Sequence, residues 1–177
     1  MLHAGIYYKK GSLKSRLCQI GNYQIYKYAK ERNINCTKPG KLIISCNEHE
    51  DKILKKININ AKINNVILKV LSKKEVKKIE PEIICKNALY SKNTGMIDVY
   101  DLMQNFVADI ETNNGVICYQ TEVTQVEPNN VNISFYVNNK LQKFSTKILI
   151  NCAGLQSHTL ARKIVGFPKS KIPKIRF

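Results

Sequence analysis

Apolar positions recur along this chain at two spacings, one helical and one extended. Leu13, Leu17, Ile20, Ile25 and Tyr28 fall roughly on one side of a helix. Ser12 precedes them as an N-cap, so a helix is predicted to about Arg32. Pro39-Gly40 marks a turn, and the residues at 41–45 read as a strand. Residues 47–61 predict a helix, with Glu48, Glu50 and Asp51 in the first turn where the helix dipole favours acids. A short strand is expected at 66–71. Ser72 and Glu75 then form a capping box that opens a helix, which Pro81 stops. A strand around Leu89-Tyr90, a turn at Asn93-Thr94-Gly95 and a helix over 98–112 follow. Leu102, Phe106, Val107 and Ile110 lie along that last helix, and Asp98 caps it.

After Gly115 the pattern changes to short alternating runs. Strands are expected at 116–119, 121–126, 131–137 and 140–145, with Asn138-Asn139 as a hairpin signal. Ile148, Leu149 and Ile150 read as a strand buried on both faces, within 147–151. The small residues of Asn151-Cys152-Ala153-Gly154 make a turn. Ser157 then caps a helix carrying Leu160, Ala161, Ile164 and Val165, ending at Gly166. The fold class is therefore α/β with mixed α+β character and an antiparallel β-meander near the end. No linker or repeat divides the chain.

The turn at 151–154 is the first place where chemistry enters. Missing side chains let a ligand approach the backbone, and a helix N-terminus favours anions such as phosphate. An ordinary strand-to-helix connection has the same texture. Charge adds little. Lys plus Arg number 29 against 13 acids, a net +16. The Lys residues are scattered, and Arg occurs only at 16, 32, 162 and 176. Heavy use of Lys, Asn and Ile together reads as codon drift on a tolerant surface, so no specific nucleic-acid partner is expected. The six Cys show no C-x-x-C pair and no His at ligand spacing, so no metal site is expected and most are read as small core residues. No apolar run reaches the ~20 residues of a membrane span. Free thiols and the lack of a signal peptide point to the cytoplasm, with peripheral contact to an inner membrane left open.

Five segments in register carry a resemblance. His3-Ala4-Gly5-Ile6-Tyr7-Tyr8 with Gly11-Ser12-Leu13-Lys14 is similar to the loop-to-helix segment of D-amino-acid-oxidase-like FAD enzymes. Gly40-Lys41-Leu42-Ile43, Glu80-Pro81-Glu82, Thr94-Gly95-Met96-Ile97-Asp98 and Asn151-Cys152-Ala153-Gly154-Leu155 agree. The chain most resembles the L-2-hydroxyglutarate oxidase or dehydrogenase branch.

The resemblance implies an FAD-binding oxidoreductase fold with part of its substrate-side sheet. Residues 1–35 and 98–177 would belong to the FAD-binding domain, and 36–97 to the substrate-binding domain. His3, Ala4 and Gly5 would lie against the flavin ring. Val123 would meet the adenine end through its backbone, and Ala153 and Gly154 would pass the diphosphate or ribose. His3 is the sole candidate for the catalytic base, and Tyr7 and Tyr8 are candidates for binding a substrate carboxylate. The implied reaction is oxidation of a small 2-hydroxy acid by hydride transfer to flavin, which oxygen or a quinone reoxidises. An amino acid or glycerol 3-phosphate is the alternative substrate. The family also has a G-x-G-x-x-G strand–turn–helix that this sequence lacks, and it continues beyond Phe177. The chain is therefore expected to be a central fragment of such an enzyme. Alone it would be inactive, being either a remnant or a piece that works with separately encoded N- and C-terminal pieces.

Overall fold

Ser12 accepts a hydrogen bond from the Ser15 backbone N–H at 3.2 Å and opens α1 (Leu13–Glu31) where the sequence places it. The computed structural model describes residues 1–129, 133–137 and 142–173. They fall into two units, Met1–Gly115 and Val116–Phe177. The division falls where the sequence pattern changes, after Gly115.

In the first unit, β1 (Cys36–Thr37) pairs antiparallel with β5 (Met96–Ile97). A second antiparallel sheet has β4 (Asn87–Ser91) between β2 (Lys41–Ser45) and β3 (Lys69–Leu71). α2 (Glu48–Ile63) follows β2, with Asn47 as its N-cap. Asp51 ties this helix to the sheet: it accepts from Ser45 Oγ at 2.5 Å and Asn87 Nδ2 at 2.9 Å. These bonds to Ser45 and Asn87, helped by Lys86, hold its carboxyl below the usual range. Successive side chains of β4 face opposite ways. Leu89 packs with Ala4, Ile6, Leu54 and Ala61, whereas Ala88 packs with Leu71, Val76 and Cys85.

α3 (Lys73–Ile79) carries the full capping box, and Glu80 ends it before Pro81. Glu75 accepts from the Ser72 backbone N–H at 2.9 Å and from Lys69 at 3.1 Å, which hold its carboxyl down to about 2 from an ordinary 4.5. A depressed carboxylate stabilises the fold above its unfolded value and stops doing so as pH falls through the folded value. Helix opening at α3, followed by amide hydrogen exchange, should therefore grow easier between pH ~4.5 and ~2. Glu75→Gln should flatten that part of the profile. An unchanged profile would remove the cap as its source.

α4 (Val99–Thr112) is capped by Asp98 as expected. Leu102 joins Ala29 and Ile34 in a third cluster, and Tyr28 Oη donates to Asp109 Oδ2 at 2.7 Å.

In the second unit, β6 (Val123–Pro128), β7 (Ile133–Val137) and β8 (Gln142–Thr146) form the expected antiparallel meander in that order. The Asn138-Asn139 hairpin signal lies outside the described residues. α5 (Ser157–Arg162) follows a 3₁₀ turn at Gly154–Gln156.

Several expectations are corrected. The run at 147–151 is not a strand, and Ile148 and Ile150 are 74% and 77% exposed. A strand needs a neighbour for its backbone groups, and no described segment pairs with this one. Residues 116–119 are also not a strand, and Val66 to Leu68 precede β3 rather than joining it. Ser157 is the first residue of α5, not its cap, and Ile164 lies past the helix end in a parallel bridge with Val126. Only Cys85 is buried among the cysteines, so the core role fits one of six. Finally, the first half of α1 is turned over, whereas Ile25 and Tyr28 in its second half pack on the third cluster as the periodicity places them. Leu13 and Leu17 are 64% and 55% exposed, while Ser15 and Ala29 are buried. The polar stripe Ser15, Gln19 and Asn22 faces inward because each of these side chains finds a hydrogen-bond partner there.

Candidate functional site

The segment from Leu2 to Tyr8 has no regular structure of its own, so its backbone groups need partners elsewhere. Leu2 and Gly95 exchange backbone hydrogen bonds at 2.7 and 3.2 Å. Tyr26 Oη and Thr37 O crowd the place where a Cβ on Gly95 would sit, so only glycine allows this approach. Asn22 Nδ2 donates to His3 O at 3.1 Å and to Asn93 O at 3.0 Å. Cys18 Sγ also donates to His3 O, at 3.3 Å, and partial burial pushes its thiol up, keeping it a donor. Asn60 Nδ2 donates to Ile6 O at 2.8 Å and to Tyr8 O at 3.2 Å, and Asn64 Nδ2 donates to Tyr8 O at 2.6 Å. Asn64 is itself buried and accepts from Ser15 Oγ at 2.9 Å.

Apolar packing completes the clamp. Ala4 and Ile6 are buried in the first core cluster, and Gly5 between them is buried too. His3 and Tyr7 are thereby left exposed on a fixed backbone, with Gly5 at φ +83° between them. The loop lines a cavity of about 80 Å³ together with Lys41 and Thr94. Lys41 Nζ stands 4.6 Å from the centre of the Tyr7 ring. His3, Ala4, Gly5, Tyr7 and Tyr8 are therefore brought to one place in the first unit, as the sequence reading groups them.

In the second unit, Val123 and Ala153 line a cavity of about 610 Å³. Thr121, Gln156, Thr159 and Lys163 supply polar groups to the same wall, and Lys163 Nζ pairs with Glu122 at 2.9 Å. Gly154 is exposed at φ +54°, with nothing within 4 Å of where a Cβ would be. Ala153 and Gly154 thus leave the backbone uncovered by side chains at this turn. Cys152 is exposed rather than filling space. Among the described residues no cluster of His, Cys, Asp and Glu could hold a metal.

The sequence reading missed Lys41, Thr94 and the three asparagines that hold the loop. Asn60 and Asn64 had a usable signal. They continue the apolar stripe Leu54, Ile57 and Ala61 at the end of α2, where a polar pair implies buried partners. Asn22 and Lys41 carried none, because their partners are distant in sequence.

The family model described as FAD dependent oxidoreductase (DAO) matches residues 1–176. A mitochondrial L-2-hydroxyglutarate dehydrogenase of Caenorhabditis briggsae is 33% identical over 166 residues, covering 91% of this chain and 38% of that protein. Its counterpart in Nematostella vectensis is 32% identical over 177 residues, covering 92% of this chain and 39% of that protein. The chain thus spans less than half the length of the curated relatives it matches. Among solved structures, L-alpha-glycerophosphate oxidase from Mycoplasma pneumoniae with FAD bound superposes with a TM-score of 0.82 at 23% identity, over 92% of this chain and 44% of that one. Glycine oxidase from Geobacillus kaustophilus gives 0.77 at 16% identity, over 92% and 45%. These two likenesses show the fold. No described helix is long and apolar enough to cross a membrane. With a family model matched over residues 1–176, nearly its whole length, the chain belongs to the FAD dependent oxidoreductase (DAO) family.

Proposed function

We propose that this chain is the part of an FAD-dependent 2-hydroxy-acid oxidoreductase that presents the flavin-side loop, with L-2-hydroxyglutarate as the substrate. The observation that carries the reading is the identity of about one third, over nine tenths of the chain, to L-2-hydroxyglutarate dehydrogenases. The clamped loop supports it chemically. His3 is held by its backbone and leaves its imidazole exposed, where it takes the proton of the substrate hydroxyl. Ala4 and Gly5 are the small residues against which a flat ring packs, and Tyr7 and Tyr8 border the substrate. Val123, Ala153 and Gly154 would hold the adenosine and phosphate portion. The chemistry that bound FAD supplies is acceptance of the hydride from the hydroxyl-bearing carbon. In this reading residues 36–97 form the substrate side and 1–35 with 98–177 the FAD side. Activity then requires the remaining length of the relatives, as a separately encoded partner or in one chain. Six free thiols support a reducing compartment.

A chimaera tests this. The matched stretch of the Caenorhabditis briggsae relative is replaced by residues 1–177, and the purified flavoprotein is assayed by dye reduction. L-2-hydroxyglutarate is expected to drive reduction, and His3→Ala to lower kcat by about 10²-fold or more. A flavin-loaded chimaera that oxidises glycine or glycerol 3-phosphate but not L-2-hydroxyglutarate would refute the reading.

A further inference from the structure

We propose that Lys41 is the specificity residue of this site, binding the substrate carboxylate remote from the reacting carbon and so selecting dicarboxylates. The inference rests on the reading above and names a residue that nothing in that reading assigns.

Three observations carry it. Lys41 lines the same cavity as the His3–Tyr8 loop, with its ammonium 4.6 Å from the Tyr7 ring centre. Among the described residues no carboxylate lies within ion-pair distance of it, although six other pairs form in the chain. A half-buried ammonium held against a ring and lacking a protein counter-ion is a site for an incoming anion. The third observation is that the lysine is placed rather than tethered. It opens β2, opposite Ser91 on β4. The preceding Gly40, at φ +79°, donates its N–H to Thr94 O at 3.2 Å and lies under the Tyr90 ring, where a Cβ would collide. Tyr90 Oη donates to Pro39 O at 3.0 Å. The strand start and the Thr94 turn are thereby locked around the cavity.

The cavity is open, and His3 and Lys41 both line it. An acid spanning the two sets its far carboxylate at the Lys41 ammonium and its hydroxyl-bearing carbon at His3. Lys41 is thus a binding residue acting on substrate choice, with no part in the proton transfer.

The probe is glutarate, which has both carboxylates and no hydroxyl to oxidise. It is titrated onto the full 177-residue chain and followed by tyrosine fluorescence, since the chain has no Trp. Saturable binding is expected, with butyrate about tenfold weaker. Lys41→Met should weaken glutarate about tenfold and abolish its advantage over butyrate, Lys41→Arg should retain most of it, and Lys30→Met should change nothing. No glutarate binding, or equal binding by the wild type and Lys41→Met, would overturn the proposal. In the chimaera, Lys41→Met should raise KM for L-2-hydroxyglutarate about tenfold, leaving kcat and the kinetics of 2-hydroxybutyrate unchanged. A fall in kcat with KM unchanged would also overturn it. A chimaera that fails to oxidise 2-hydroxyglutarate while glutarate still binds through Lys41 would remove the proposed function and leave this carboxylate site standing.

Discussion

Leu89→Ala should lower the opening free energy of the first unit by about 2–5 kcal/mol. Leu89 is 2% exposed and sits on the central strand of its sheet, opposite Ile43 on one side and Val70 on the other. It packs in one cluster with Ala4, Ile6, Leu54 and Ala61. Removing its branched end leaves a void that strand pairing on both sides keeps from closing, so the cost belongs in the upper part of that range. The same void undercuts Ala4 and Ile6, the two buried anchors of the His3 loop. The change should therefore loosen the loop as well as the sheet. Amide hydrogen exchange is the suitable measurement, because it reads the first unit separately from the second. The β4 amides should lose most of their protection, and those of β6 should keep theirs. A loss under about 1 kcal/mol would mean that the cluster is not close-packed around Leu89.

Asn64→Leu should cost about 2–4 kcal/mol by a different route. Leucine is close to asparagine in size, so little volume changes. What changes is pairing: the Ser15 hydroxyl loses its acceptor and Tyr8 O loses the donor at 2.6 Å. The Ser15 hydroxyl then stays at a buried position without its bond, and Tyr8 O keeps only the longer bond from Asn60 at 3.2 Å; an unmade buried bond costs about 1–3 kcal/mol. A second substitution identifies the mechanism. Ser15→Ala removes one of the stranded groups, so the double variant should recover about 1 kcal/mol relative to Asn64→Leu. A double variant no better than the single one would show that the asparagine acts by shape alone. Because Tyr8 O is one of the loop's fixed points, glutarate affinity should fall alongside stability.

Local signals were legible at four helix starts, though not at Ser157, which begins α5 without capping it. A cap needs a side chain three residues from its N–H, so Ser12, Asn47, Ser72 and Asp98 all start helices where the sequence places them. The strand at Lys41–Ser45 and the three-strand meander are likewise readable from alternation and turns. The loop at His3–Tyr8 was legible as a candidate site because its residue order resembles a family.

Other features depended on neighbours that no window of sequence contains. Ile148, Leu149 and Ile150 have the composition of a buried strand, yet a strand exists only if another pairs with it. The helix at Leu13–Glu31 has an apolar side and a polar side, and periodicity cannot say which one faces in. In its first half the polar side does, because Asn64 and His3 O wait there with hydrogen-bonding groups to satisfy, while Ile25 and Tyr28 in the second half pack on the third cluster. Asparagines that read as compositional drift turn out to fix the site loop, since Asn60 and Asn64 meet Ile6 and Tyr8 more than fifty residues away. By itself the sequence determined the helices, the caps at Ser12, Ser72 and Asp98, the strand at Lys41–Ser45, the three-strand meander and the family. The tertiary structure decided which faces are buried, what holds His3 in place and that Lys41 lines the same cavity, because burial and hydrogen-bond satisfaction belong to pairs of distant residues rather than to any one of them.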